Sequence, residues 1–143
     1  MGRTLALDVG TKGIGLAVSD PTGLLASPLR TLARKGVAKD AEAVATVARE
    51  LEVVAVVVGM PFELDGTEGR SARLARQVGS AVAERTGLPV VYVDERYSSV
   101  DAHRQLIAAG MSRARRKDVV DQQAAVVVLQ AWLDHPELAE GDG

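Results

Sequence analysis

Cysteine is absent from the 143-residue chain. That excludes disulfides, thiolate catalysis and cysteine-ligated zinc. Histidine occurs only as His103 and His135, too few for a histidine-rich metal site. Any metal would have to be held by carboxylates, a donor set that favours a hard cation such as Mg²⁺ or Mn²⁺. Aromatics are scarce, with one Trp, two Tyr and one Phe, which argues against the stacking platforms that bind single strands. Long apolar runs are missing too. The longest lies around Val53–Val58, far short of the roughly 20 residues of a membrane span. The opening MGRTLALDVG lacks the apolar stretch and small-residue cleavage site of a signal peptide. A cytoplasmic location with no membrane partner is therefore expected. Excess positive charge is also wanting: the net charge is -2 and the pI about 5.7, unlike a typical basic nucleic-acid-binding domain.

What is present is a core. The chain is 47% hydrophobic and 25% charged, with Val, Ala and Leu supplying the apolar volume. Its length suits one domain, expected over residues 1–136 with a flexible tail over 137–143. Residues 3–9 read as a buried strand and 12–19 as a second, joined at Gly10-Thr11. Asp20-Pro21-Thr22-Gly23 is a turn in which Pro presets φ and Gly accepts positive φ. A third strand lies within Leu24–Leu32, completing an antiparallel meander. Helical spacing then marks Val37–Leu51 and Ser71–Arg85. Between them Val53–Gly59 is a β-branched run suited to a buried parallel strand. Val90–Val93 is another strand. Ser98 caps a helix to about Ala109, Ser112–Lys117 is a basic loop or helix start, and Val119–Leu133 is the last helix. Strands alternating with helices after a meander predict an α/β fold, a mixed sheet with helices on both faces.

Three carboxylates fall where folding alone would not put them. Asp8 closes an apolar strand on which Thr4, Ala6 and Asp8 share a face. Glu95 follows Val90–Val93, on the face of Val91 and Val93. Asp121 heads an apolar helical stripe of Ala124, Ala125, Val128, Leu129 and Trp132. Each has a plain structural reading: a turn Asp, a Glu paired with a neighbouring cation, a helix cap. Together they suggest metal, because three clustered carboxylates repel and are driven toward protonation unless a divalent cation lies among them. Two such cations could activate a water and neutralise a phosphodiester in flight.

These residues resemble the YqgF family, also called RuvX, within the RNase H-like superfamily. The likeness runs from about Leu5 to Leu133 and is carried by four blocks. Asp8-Val9-Gly10-Thr11-Lys12-Gly13-Ile14-Gly15 is similar to the family's opening D-x-G-x-K-R-I-G. Gly59-Met60-Pro61 through Asp65-Gly66-Thr67-Glu68-Gly69 resembles its G-x-P-x-x-x-D-G. Asp94-Glu95-Arg96-Tyr97-Ser98-Ser99 is similar to D-E-R-[LY]-[ST]-[ST]. Arg116-Lys117 through Asp121, then Ala124-Ala125, resembles a basic run leading into D-x-x-A-A. The resemblance implies an RNase H-like five-stranded sheet of order 3-2-1-4-5 with strand 2 antiparallel. It implies metal ligands and catalytic groups at Asp8, Glu95 and Asp121. It also implies two roles, maturation of the 5′ end of pre-16S rRNA and cleavage of branched DNA as a Holliday junction resolvase. Gly13 stands where the family usually has Arg, removing a cation, and Glu63 where it often has Asn.

Around the carboxylates, Lys12 is a candidate phosphate contact or simply a solvated turn lysine. Arg96 would orient Glu95 or clamp a phosphate bidentately. Arg113, Arg115, Arg116 and Lys117 form the densest basic cluster and would grip a nucleic-acid backbone, with Arg30, Arg34 and Lys35 extending it. Ser98 and Ser99 read as caps rather than nucleophiles. Three functions compete. The first is a two-metal nuclease for structured RNA or branched DNA, with ribosomal particles as further partners. The second is an actin-like phosphotransferase, suggested by Asp8-Val9-Gly10-Thr11 but lacking a second lobe and a P-loop. The third is a non-catalytic ribosome or nucleic-acid binding module. Symmetric junction cutting would call for a homodimer, which no residue establishes.

Overall fold

The structure, a computed structural model, describes residues 2–95 and 113–141. Strands β1 (Thr4–Val9), β2 (Gly13–Ser19) and β3 (Ala26–Ala33) form the antiparallel meander. Helix α1 (Val37–Glu50) crosses to β4 (Ala55–Met60), which lies parallel to β1. Helix α2 (Arg70–Thr86) crosses to β5 (Val90–Asp94), parallel to β4. Helix α3 (Arg113–Asp134) follows. The expected order 3-2-1-4-5 is present, and a sixth strand, β6 (Ala139–Gly141), is added beside β5. The sequence pattern leaves these last residues as a frayed end. They order because Pro136–Leu138 turns the chain after α3 and lays Ala139–Gly141 antiparallel to Val91–Val93, satisfying backbone groups that would otherwise be exposed at an edge. The helix expected from Ser98 to Ala109, and His103 within it, lie outside the described residues.

Period-2 alternation sends β1 side chains to two unlike faces. Leu5, Leu7 and Val9 join Ile14, Leu16, Val56, Val58, Met60, Val90 and Tyr92 beneath α1 and α2. Ala6 joins Ala17, Val57 and Val93 beneath α3, whose Ala124, Ala125, Val128 and Leu129 are buried against them. One face therefore carries large aliphatic side chains and the other small ones. Small residues let a helix backbone approach the sheet closely. Two glutamines hold α3 in register on that face. Gln130 accepts from the Ala26 N–H and donates to the Leu24 carbonyl, both at 3.0 Å. Gln122 donates to Thr31 Oγ1 at 3.2 Å. Helix α3 already includes Arg113, ahead of the expected Val119, so the basic run is helical.

The β2–β3 turn is built as its sequence suggests. Gly23 has φ +76°, and the Asp20 carboxylate accepts from the Leu24 and Leu25 N–H groups at 2.8 and 2.9 Å and from the Thr22 hydroxyl. The Leu25 amide first, then the Thr22 hydroxyl, lower the Asp20 pKa to about 2. A depressed carboxylate stabilises the folded state above its unfolded pKa near 3.8 and loses that contribution as pH falls through about 2. A carboxyl-detected NMR titration of Asp20 is expected to show a midpoint near 2. Amide exchange at Leu24 and Leu25 should speed up over the same interval. A midpoint near 3.8 would mean that the turn is not held in this way.

Candidate active site

The parallel strands β1, β4 and β5 end at one edge of the sheet, and the three acidic residues gather there. Asp8 is 4% exposed and shares the α3-facing side of β1 with Ala6. It pairs across to Gly15 of β2. One step beyond the Leu7–Val58 pair of β1 and β4, Gly59 comes level with Asp8 on its other side. Glu95 directly follows β5, with its Oε1 buried. A Cβ added to Gly59 would lie 2.8 Å from that oxygen and 3.0 Å from Val128 Cγ2, so the Glu95 carboxylate rests on the bare backbone of β4. Asp121, half-buried, comes from α3. A Cβ at Gly13 would lie 3.3 Å from its Oδ2, and one at Gly15 only 2.0 Å from its carbonyl oxygen. The acidic groups thus stand over β2, β1 and β4. At the usual strand spacing that is a span of about 10 Å.

The sequence signals all three acids but not the floor beneath them. Gly13, Gly15 and Gly59 leave open the space that Asp121 and Glu95 enter. At position 13, where the resembling family usually carries Arg, a side chain would meet Thr31 Cγ2 at 3.1 Å and Asp121 Oδ2 at 3.3 Å. The donors are all carboxylate oxygens, which suits a hard divalent cation rather than a soft metal. As the side chains stand, no three His, Asp or Glu groups among the described residues are close enough together to hold one ion. The donor chemistry and the glycine cradle fit such a cation.

The basic residues divide. Lys12 is exposed in the turn after β1. Arg113, Arg115, Arg116 and Lys117 lie on α3, with Lys117 one turn, about 6 Å, before Asp121. Arg96 lies outside the described residues. Arg30 is exposed on β3, but Arg34 is not a free extension of the basic surface. Its Nε is 2.5 Å from Asp40 Oδ2, and its Nη1 donates to the Gly10 carbonyl at 2.9 Å. The sequence carries no clear signal of this, because the burial of Asp40 in the first turn of α1, which calls for a cation, shows only in the fold. The loop over residues 61–69 closes on itself, with Thr67 donating to Asp65 through its N–H and its hydroxyl.

The strand order and the helices on both faces define an RNase H-like α/β fold. The structure matches T. thermophilus RuvC, solved in complex with a Holliday junction substrate, at a TM-score of 0.63 and 19% identity, over 99% of this chain and 100% of that one. It matches the yeast mitochondrial Holliday junction resolvase Ydc2 at 0.54 and 10% identity, over 92% and 78% of the two chains. At these identities the likeness is one of fold. The sequence then narrows the class: the profile of the RuvX family, described as a Holliday junction resolvase, matches residues 2–135, and the chain belongs to that family of nucleases. A Myxococcus xanthus relative is 48% identical over 132 residues, 92% of this chain and 87% of that protein. One from Mycobacterium leprae (strain Br4923) is 47% identical over 134 residues, covering 93% and 73%. Both carry the name "Putative pre-16S rRNA nuclease".

Proposed function

We propose that the chain is a divalent-metal-dependent nuclease in which Asp8, Glu95 and Asp121 hold Mg²⁺ or Mn²⁺, in a two-ion arrangement, and that it hydrolyses phosphodiester bonds in 5′-end maturation of pre-16S rRNA. The observation that supports the reading is the placement of three acidic side chains, from β1, from the residue after β5 and from α3, along one end of the sheet over the glycines of β2 and β4. Bound cations supply activation of water and charge neutralisation at the phosphodiester. The chain's own residues do the rest. Asp8, on the central strand, offers a ligand whose backbone is held by pairing to β2 and β4 neighbours. Glu95 offers a second oxygen set, and Asp121 a third. Lys12 contacts the phosphate beside Asp8, Arg96 orients Glu95, and Arg113, Arg115, Arg116 and Lys117 bind the backbone of a structured nucleic acid. No helix among the described residues is long and apolar enough to cross a membrane, and the proposed setting is the cytoplasm, on ribosomal particles.

The names of relatives at 47–48% identity favour rRNA; the family description favours branched DNA as a second reading, which requires a homodimer for symmetric cuts. The deciding assay supplies a labelled pre-16S rRNA 5′ fragment and a four-way DNA junction, each with Mg²⁺, Mn²⁺ or EDTA, and runs Asp8→Asn alongside. Cleavage of the RNA that needs metal and is lost in the variant is the expected result. Cleavage of the junction alone selects the second reading. Equal cleavage by the variant, or cleavage of neither substrate even when ribosomal particles are added to the assay, defeats the catalytic proposal in favour of a binding module.

A further inference from the structure

The turn that follows β1 carries Lys12 three residues past Val9, the end of Asp8's strand. Arg34, just past the end of β3, bonds two of its carbonyls. Arg34 Nη1 donates to the Gly10 carbonyl at 2.9 Å, and the Arg34 backbone N–H donates to the Lys12 carbonyl at 3.0 Å. Within the turn, the Gly10 N–H donates to the Gly13 carbonyl at 2.9 Å. The arginine is itself locked. Its Nε donates to Asp40 Oδ2 at 2.5 Å, while Asp40 Oδ1 accepts the Lys35 N–H at 2.8 Å. Asp40 is 3% exposed and the Arg34 side chain 12%, so the pair is largely out of water. A solvated surface pair would hold nothing in place; a desolvated fork making two directed bonds does.

We infer that Arg34, fixed by Asp40, is a positioning residue that sets the Gly10–Lys12 turn, and through it the placement of Lys12 beside Asp8. The inference deepens the proposed nuclease reading and rests on it for its catalytic consequence. The geometry explains why arginine is used. A guanidinium can bond Asp40 through Nε and Gly10 through Nη1 at once, whereas a lysine ammonium on a flexible stem cannot reproduce that fork. It also explains why Asp40 is buried at the start of α1 instead of facing solvent: α1 is where the anchor for the turn is attached. Neither residue touches the scissile bond in this scheme.

The test compares Arg34→Lys, Asp40→Asn and the double variant with the parent, in the full chain. Amide exchange is followed at Gly10 in the turn and at Leu7 in the centre of β1, with urea unfolding as the global reference. Loss of one directed, charge-assisted bond predicts Gly10 exchange about tenfold faster or more, while Leu7 exchange changes only as far as global stability does. Because the two residues act as a unit, the double variant is expected to match the worse single variant rather than their sum. kcat/KM on the cleaved substrate should fall in step with the Gly10 acceleration across the series. Gly10 exchange that is unchanged, or accelerated no more than Leu7, overturns the inference. A loosened turn with parental kcat/KM overturns its catalytic half. If Arg34→Lys does not fold, Asp40→Asn answers the same question, since it leaves Arg34 in place, removes the charge that holds it and keeps one oxygen to accept the Lys35 N–H. Parental protein that cleaves nothing defeats the nuclease reading, while the exchange data still decide the brace.

Discussion

Gly15→Ala is expected to lower the melting temperature by roughly 10 °C. The added methyl would lie 2.0 Å from the carbonyl oxygen of Asp121, 2.3 Å from its carbonyl carbon and 2.9 Å from the Gln122 nitrogen. These are backbone atoms of α3, so no rotamer change relieves the overlap; the helix must move off the sheet. Overpacking of this kind costs about 3 kcal/mol, which in a domain of this size corresponds to the quoted shift. Lifting α3 also carries Asp121 away from Asp8, so cleavage should fall with it even at temperatures where the variant is folded. Gly13→Ala is the internal control. Its contacts are 3.1–3.4 Å and one is a threonine methyl, which can give by a few tenths of an ångström, so its effect should be under about 1 kcal/mol. Calorimetry of the two variants checks the comparison. A Gly15→Ala protein melting within a degree or two of the parent would show that α3 does not rest on β2 as described.

Asp8→Asn should act in the opposite way, removing activity and sparing the fold. Asn has nearly the shape of Asp and keeps a place on the α3 side of β1, but it cannot offer the anionic oxygens that a hard cation selects. Loss of a ligand at a site that stabilises developing charge is expected to slow cleavage on the order of 10³-fold, about 4 kcal/mol of barrier. Thermal unfolding should remain cooperative, because the core beneath α1 and α2 contains Leu5, Leu7 and Val9 of the same strand and not Asp8. Single-turnover cleavage with saturating Mg²⁺, alongside a melt, reads both effects. Retention of more than a tenth of the parental rate would remove Asp8 from the proposed ligand set.

Much of this arrangement is legible in the residues, for identifiable reasons. Strict alternation exposed the two faces of β1, and the apolar stripe after Asp121 identified the buried side of α3, whose Ala124, Ala125, Val128 and Leu129 are indeed buried. The meander and the β-branched run of β4 were equally plain. The basic residues were harder. A cationic side chain reads the same from sequence whether it faces solvent or grips a neighbour, and Arg34 proved to be occupied by Asp40 and Gly10. The glycine floor was harder still, since Gly13, Gly15 and Gly59 matter through what stands over them, and that depends on contacts far away in the chain. The sixth strand is not legible in the sequence, because three residues carry no period.

That short strand changes what the sheet offers to other chains. With β6 alongside β5, the sheet ends at one side in a strand of three residues. At the other it ends in β3, where Pro28 supplies no N–H and the β2 pairing is irregular between Leu16 and Ala17. Neither end is a good template for adding a foreign strand. A protein that must keep its central strand and Asp8 in fixed register thereby gains protection from edge-to-edge association. Among the described residues, the helix faces and loops are the better surfaces for a partner than either end of the sheet.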